Sequence, residues 1–465
     1  MLDRRQFIIS AGSAAIGCGC GRLGGLVDLP NLRFGVISDI HLTTARSCAM
    51  LEKALRYFSD SCLDAVVIAG DLSDYGTKSG WRLLKDTWDS VFLNTCVTPL
   101  FCTGNHDVEG WRYGDMAADM FANGQNGEDR IRPETAGDVW SEVFEEAWEP
   151  VRLRSVRGYS FVSVEYGHEK KLAKWLESKR ADLRNDKPFF FFQHMPMKGT
   201  TADSGGWSDG GAVKPVLDHY PNCMAFTGHT HRPFYDERSI WQDSYTAIVV
   251  PSLSYSSIPK EHENGNDRRD GGSTKTMPAV STRRDHRGGL GYVVDVCSDK
   301  IVVERHDFLV GGQSAPAWTV PLPFASARPY GYERRGEFSM PPEFPQGASI
   351  EVITSNTENR QGRWAIVVDC VFPSAAIADG TRIYDYELRV VLRDGTVAFS
   401  KLYLSPAFAE PRGNEPKTQR FWFDAAILPR NVDCRVEAVA RNSFGKGSSA
   451  IHSRWLHALE PSVME

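Results

Sequence analysis

The chain has 465 residues, 42% of them hydrophobic and 24% charged, with a formal net charge of -6. At about 150 residues per domain it has room for two or three domains, and its composition excludes a disordered or membrane-embedded protein. The acidic balance argues against nucleic acid as a partner, because a phosphate backbone asks for a basic surface.

The first 25 residues read as an address. Arg4-Arg5-Gln6-Phe7-Ile8 resembles the twin-arginine export motif, and the apolar run from Phe7 to Gly17 is too short to span a bilayer as a helix. Ala15-Ile16-Gly17-Cys18 resembles a lipobox, in which Cys18 would carry a lipid anchor. The expectation is an exported protein, periplasmic or a membrane-anchored lipoprotein. No other segment is apolar for long enough to suggest a membrane span.

Leu32 to Ser38 is a short apolar run that fits a buried strand, and Asp39-Ile40-His41 follows at once. Residues i and i+2 of an extended segment point to one side, so Asp39 and His41 can approach a single ion. Met50, Leu51, Ala54, Leu55 and Phe58 then recur at helical spacing, as in the crossover of a βαβ unit. Ala65 to Ala69 is a second buried strand, closed by Gly70-Asp71-Leu72-Ser73-Asp74. Gly70 permits a sharp turn and close backbone approach, and Asp71 can offer two oxygens to two cations. A helical stretch from Trp81 to Phe92 leads to the apolar run Val97 to Cys102. There Gly104-Asn105-His106-Asp107 packs a neutral oxygen ligand, an imidazole and a carboxylate into one turn.

Residues 108–150 are polar and contain Trp111, Arg112, Tyr113, Arg130, Arg132 and Trp140. The stretch is too long for a plain connection and reads either as a substrate lid or as a surface subdomain. Tyr159 to Val164 alternates like a half-exposed strand, and Leu172, Trp175, Leu176 and Leu183 mark an amphipathic helix before Pro188. Phe189 to Phe192 is a buried strand ended by Gln193-His194-Met195-Pro196. Met224 to Thr227 repeats the pattern and ends in Gly228-His229-Thr230-His231. Strands over Tyr245–Val250, Leu290–Val296 and Lys300–His306 complete the unit. Residues 260–288 between them carry Arg268, Arg269, Arg283, Arg284 and Arg287, as a solvated loop or one facing substrate.

From Gly311 to Pro345 proline is frequent and periodicity is lost, which predicts a linker. Short strands at Trp364–Phe372, Tyr384–Arg393, Phe399–Leu404, Phe421–Phe423 and Val432–Ala440 predict a small all-β sandwich over residues 346–460. Arg435 to Gly447 resembles the last hairpin of a fibronectin type III domain. The 10 cysteines include no Cys-x-x-Cys pair; Cys370 and Cys434 either pair or stay as buried thiols.

Asp39, His41, Asp71, Asn105, His194, His229 and His231 thus each follow a predicted strand. In open α/β sheets, sites gather outside the carboxyl ends of strands. Taken singly, Asp39 and Asp71 could be helix caps, His194 a core histidine, and Asn105 and Asp107 turn formers. Five strand ends delivering ligands to one edge argue instead for a two-metal site. Nitrogen and oxygen donors without thiolate suit Mn, Fe, Zn or Ni, as divalent or trivalent ions. His168, His219, His262, His286, His306, His452 and His457 lack such company and read as structural or surface residues.

These motifs, Asp39-x-His41, Gly70-Asp71-x-x-Asp74, Gly104-Asn105-His106-Asp107, His194 and Gly228-His229-x-His231, resemble in order and spacing those of the calcineurin-like metallophosphoesterases, over residues 30–310. The resemblance implies a mixed α/β (α+β) fold, a four-layer sandwich of two mixed β-sheets flanked by helices, here followed by the all-β sandwich. It implies that Asp39, His41 and His231 hold one metal, that Asn105, His194 and His229 hold the other, and that Asp71 bridges them. His106 matches the family's catalytic histidine and Asp74 the carboxylate that orients it. Tyr75 stands where the Ser/Thr protein phosphatase branch has arginine, which disfavours phosphoprotein substrates. The expected reaction is hydrolysis of a small phosphate mono- or diester, with a metal-bridging hydroxide attacking in line and His106 protonating the departing oxygen. The competing reading is a catalytically inactive, metal-stabilised binding or adhesion protein of the cell envelope, whose sandwich contacts carbohydrate or protein.

Overall fold

The computed structural model describes residues 30–457, apart from 44, 111–129, 180–182, 184–186, 258–261, 263, 265–287, 325–326, 359–363, 409, 411–412 and 430–431. The N-terminal address with Cys18, the lid candidates Trp111, Arg112 and Tyr113, and Arg268, Arg269, Arg283, Arg284 and Arg287 lie outside the described residues. No helix among the described residues is long and apolar enough to cross a membrane.

In chain order the larger unit comprises β1 (Leu32–Ile37), α1 (Ala45–Asp60), β2 (Ala65–Ala69), α2 (Lys78–Phe92), β3 (Thr98–Cys102), α3 (Asn105–Glu109) and α4 (Ala136–Phe144). It continues with β4 (Val151–Val156), β5 (Tyr159–Val164), α5 (Leu172–Lys179), β6 (Phe189–Gln193), α6 (Lys214–Leu217), β7 (Cys223–Thr227), β8 (Ile240–Gln242) and β9 (Thr246–Val249). β10 (Leu290–Val296), β11 (Lys300–Asp307) and β12 (Gly312–Pro321) finish it. One six-stranded sheet has the order β12-β11-β10-β1-β2-β3, the other β4-β5-β6-β7-β9-β8. Both are mixed: β1, β2 and β3 run parallel, as do β5, β6, β7 and β9, while the remaining pairs are antiparallel.

The layering follows from the period-2 alternation of strand side chains. Phe34, Val36, Val67, Phe190, Phe192 and Phe226 meet between the two sheets, where Phe34 packs edge-on against Phe161 and Phe190. Val66 and Ile68 point the other way, onto Leu51 and Leu55 of α1 and Trp81 and Leu84 of α2. Phe189 and Phe191 likewise face Leu172 and Leu176 of α5. Each fully buried Phe contributes roughly 1.5–3 kcal/mol. Strands covered on both faces read as unbroken apolar runs, and this makes helix, sheet, sheet and helix the four expected layers. At its start α2 is capped by Thr77, whose Oγ1 accepts from Gly80 N at 3.2 Å.

Three expectations are corrected, and one open alternative, at Cys370 and Cys434, is decided. β5 is buried almost throughout, because it lies between β4 and β6 and its polar-looking Ser163 is covered too. Trp140 is no lid residue: it is a core side chain of α4, edge-on to Trp81 with ring centres 5.5 Å apart. The segment read as a linker from Gly311 contains β12, the edge strand of the first sheet, followed by the helix α7 (Tyr332–Phe338). Prolines are tolerated on an edge, and Pro316 stands beside an irregularity in the β11–β12 register, where a missing N–H breaks no ladder bond. Cys370 and Cys434 are free thiols buried in the C-terminal core, acting as small apolar side chains.

That C-terminal region is an all-β sandwich of β13 (Glu351–Glu358), β14 (Trp364–Pro373), β15 (Asp385–Leu392), β16 (Val397–Leu404), β17 (Thr418–Asp424), β18 (Cys434–Arg441) and β19 (Ile451–His452). A three-stranded sheet β13-β14-β17 packs on a four-stranded sheet β16-β15-β18-β19 through Val368, Phe372, Tyr386, Leu388, Phe421 and Val436. It is fastened to the first unit by buried polar bonds. Glu237 accepts from Arg305 of β11, Trp318 of β12 and Arg335 of α7, while its backbone N–H donates to Ser443 Oγ at 3.1 Å. His262 Nε2 lies 2.9 Å from Asp385 Oδ2, so the sequence reading of His262 as structural agrees with its place. Asn264 bonds both the carbonyl and the N–H of Leu404.

Candidate metal centre

The loops that follow β1, β2, β3, β6 and β7 meet at one end of the double sheet. Parallel strands send their carboxyl ends the same way, and main-chain bonds lock the loops together. Asp39 N donates to Gly70 O at 3.0 Å, His41 N to Asp71 O at 3.0 Å, and Gly228 N to His194 O at 2.9 Å. Two glycines make this closeness possible. A Cβ on Gly104 would stand 2.1 Å from Asp71 Oδ1, and one on Gly70, which has a φ of +88°, would stand 2.5 Å from His194 Nδ1.

All nine sequence-predicted residues come together here, and five of them share an unusual backbone. Asp39, His41, Asp71, His229 and His231 have φ of 52°, 49°, 52°, 70° and 52°. For a residue with a Cβ the left-handed region costs on the order of 1–2 kcal/mol, and it persists only where the surroundings dictate it. The strain aims the side chains inward.

Asp39, His41, Asp71 and His231 bring their donor atoms within 4.8 Å of one another, and so do Asp71, His194 and His229. His231 Nε2 is 2.9 Å from Asp39 Oδ1 and 3.2 Å from His41 Nε2. His194 Nε2 is 3.3 Å from His229 Nδ1. Asp71 belongs to both groups. Its Oδ1 accepts from His106 N at 2.9 Å, while its Oδ2 lies 3.1 Å from His194 Nε2 and 3.7 Å from His41 Nε2. Asn105 is buried beside the second group, next to the Gly104 that abuts Asp71 and His194.

The imidazoles are oriented from behind, which fixes which nitrogen faces the centre. His194 Nδ1 donates to Ala69 O at 2.9 Å, and His231 Nδ1 donates to Tyr255 O at 3.1 Å. His41 Nδ1 is 2.8 Å from Asp74 Oδ1. The same carboxylate oxygen lies 3.1 Å from His106 Nδ1, which also donates to Asp74 O at 2.8 Å. Asp74 therefore serves two imidazoles, and His41, Asp74 and His106 form a third group of donors within 4.8 Å of one another.

Charge balance follows this layout. Burial alone would push the Asp39 carboxyl up, but the His231 and His194 rings hold it down at about 2. Burial also works against charge at Asp71 and Asp74, and their histidine neighbours again prevail, leaving both well below the usual carboxylate range. Burial would lower His106 and His194, but Asp71 with Asp74 raises the first to about 9, and Asp71 with Asp39 raises the second to about 9. His229 is driven the other way, to about 3, by burial and by the neighbouring His194.

The residues fit two hard-to-borderline cations. The donors are carboxylate, amide and imidazole without thiolate, and the buried His229 Nε2 has no hydrogen-bond partner. A buried polar atom left so costs about 1–3 kcal/mol, and a cation would satisfy it.

Three residues support the centre; Glu165 and Tyr255 escaped the sequence reading, and Asp107 was read there only as a turn former. Asp107 accepts N–H bonds from Leu72, Ser73, Gly104 and the Trp81 indole, welding the loops after β2 and β3. Glu165, after β5, reaches from the other sheet to accept from Thr103 N and Oγ1, both at 2.7 Å, and is itself held by Arg152 at 2.6 Å. Tyr255 supplies a backbone carbonyl, which leaves no mark on a motif. Of the three, only Asp107 had a visible signal, its place in the Gly-Asn-His-Asp turn.

Comparison with known proteins gives one family match, calcineurin-like phosphoesterase, over residues 32–233. No curated protein matches the chain. Among solved structures, a dimetal phosphatase from Danio rerio is similar at 12% identity and a TM-score of 0.38, over 63% of this chain and 99% of that one. A purple acid phosphatase from yellow lupin (Lupinus luteus) seeds is similar at 13% identity and a TM-score of 0.40, over 62% of this chain and 54% of that one.

Proposed function

We propose that this metal-dependent phosphoester hydrolase, whose residues 32–233 form a calcineurin-like phosphoesterase domain, cleaves a small phosphate mono- or diester at the Asp71-centred site. Asp39, His41 and His231 would hold one ion, Asn105, His194 and His229 the other, and Asp71 would serve both. When bound, such a pair supplies a nucleophile from water at neutral pH and positive charge against the phosphoryl oxygens. The observation that carries the reading is Asp71 Oδ2, buried between the His194 and His41 imidazole nitrogens of two donor groups.

The chain's own groups do the rest. His106 shares no donor group with Asp71 but clusters with His41 and Asp74, and its Nδ1 is occupied by Asp74, so its Nε2 carries the proton for the departing oxygen. Asp74 keeps the ring in that orientation and sustains its positive charge. Asp71 Oδ1, taken up by the His106 N–H, leaves Oδ2 for the ions. No nucleophilic Ser or Cys is required.

Hydrolysis of bis(4-nitrophenyl) phosphate and 4-nitrophenyl phosphate with added Mn²⁺ tests this. A protein that binds its metals and turns over no phosphate ester would be the binding or adhesion protein instead. Two further readings are part of the proposal. Export, with Cys18 as a lipid anchor, is supported by the Arg4-Arg5 motif and the apolar run behind it. A fibronectin type III-like identity for the C-terminal sandwich, with carbohydrate or protein as its contact, is supported by its three-plus-four strand arrangement.

A further inference from the structure

Trp207 is 66% exposed, and its ring centre stands 5.4 Å from that of His229. An indole left in water at the rim of a buried polar centre has no packing role to explain it. The loop that carries it is nevertheless held. Asp209 accepts from the N–H groups of Lys198 at 3.1 Å and of Gly211 and Val213 at 2.8 Å, and Thr200 N donates to Ser204 Oγ at 2.9 Å. Asp203 pairs with Arg232, the residue after His231, which ties this loop to the one bearing the His229 and His231 donors. The tip projects clear of the body: a Cβ on Gly205, Gly206 or Gly210 would meet nothing within 4 Å. A flat apolar surface is thus fixed beside His229, open on its outer side.

An ester whose phosphoryl group occupies the centre must send its organic part outward past this rim. A flat π-system can lie on the indole, whereas a short alkyl group finds only the edge of a ring. We propose that Trp207 is a specificity-determining stacking platform that selects phosphate esters bearing a planar aromatic group, aryl or nucleobase, over alkyl esters. This rests on the phosphoesterase reading above.

The test is calorimetric binding of non-hydrolysable phosphonates to the full-length, metal-loaded protein. Phenylphosphonate is compared with methylphosphonate, and the phosphonate analogue of adenosine monophosphate with that of ribose 5-phosphate. The wild type should prefer the aromatic member by on the order of ten-fold, the scale of one aromatic stacking contact. Trp207→Ala should bring the ratio near one with two metals retained, and Trp207→Phe should keep most of it. A Trp207-dependent ratio in either pair supports the platform and tells aryl from nucleobase. An aromatic preference that survives Trp207→Ala, or no preference in the wild type, overturns it. Failure of the phosphoesterase reading looks different: no ester is hydrolysed, whatever stands at position 207.

Discussion

The indole Nε1 of Trp81 donates to Oδ1 of Asp107 across 2.9 Å, joining a core side chain of α2 to the turn that carries Asn105 and His106. The same carboxylate accepts from Ser73 N at 2.9 Å, Leu72 N at 3.1 Å and Gly104 N at 2.8 Å. An amide in its place would turn an NH₂ toward donors. Asp107→Asn should therefore weaken metal binding by roughly 10- to 100-fold and lower stability by about 1–3 kcal/mol. Metal analysis after dialysis and thermal melts report both. Wild-type metal retention would show that the weld is dispensable.

His106→Ala should keep two metals and lose activity by roughly 10²- to 10⁴-fold. The loss should shrink as the leaving group becomes more acidic, because 4-nitrophenolate departs with less need of a proton. Steady-state rates on esters of graded leaving groups check this, with metal content measured on the same samples. Loss of a metal together with activity would mean that His106 is a ligand.

Asp71→Asn should reduce the metal content from two ions to at most one, since Oδ2 lies against imidazoles of both donor groups. Loading should also be coupled to protons. At pH 7 His194, raised to about 9, carries a proton that an ion must displace, whereas His229, lowered to about 3, is already neutral. Affinity should then rise with pH up to about 9, with proton release on loading at neutral pH. Titration of metal into weakly buffered, metal-free protein with an indicator dye measures the release. Loading at pH 7 without it would overturn the assignment.

The Glu237 carboxylate knots β11, β12 and α7 together, while its backbone N–H reaches Ser443 of the sandwich. Burial alone would push its carboxyl up, but Arg305 and Arg335 hold it below the usual glutamate value of 4.5. For a folded-state value that is depressed, the stabilisation is fully present above pH 4.5 and is lost as pH falls through the folded value. Melting temperature should rise with pH across that acid range, and Glu237→Gln should flatten the limb. It should also cost roughly 3–5 kcal/mol, because buried Arg305 is left without its partner. Melts from pH 3 to pH 6, taken for both proteins, decide it.

The double-sheet core was legible because its strands are apolar on both faces, and the centre because each donor directly follows such a strand. β12 was not, since the prolines and glycines that suit an edge strand also suit a linker. Trp140 stayed hidden as a core residue because Trp81 is brought to it by the fold of the chain and not by spacing. Glu237 pairs with Arg305, Trp318 and Arg335, residues 68 to 98 positions away, and no local pattern announces such a knot. The left-handed backbone at Asp39, His41, Asp71, His229 and His231 is a property of the assembled loops, and the mild preference of Asp and His for that region is too weak to announce it in a sequence.

One oxygen of Asp74 stands 2.8 Å from a nitrogen of His41 and 3.1 Å from a nitrogen of His106. With the roles proposed for His41 and His106, cation retention and proton delivery hang on one tether. Swinging that carboxylate toward either ring takes it from the other, so acidity at position 106 cannot be tuned independently of grip at position 41. Selection for a faster acid would surface first as a leaking ion, and a search for tighter ion binding would surface as a slower acid. The two traits are inherited as one.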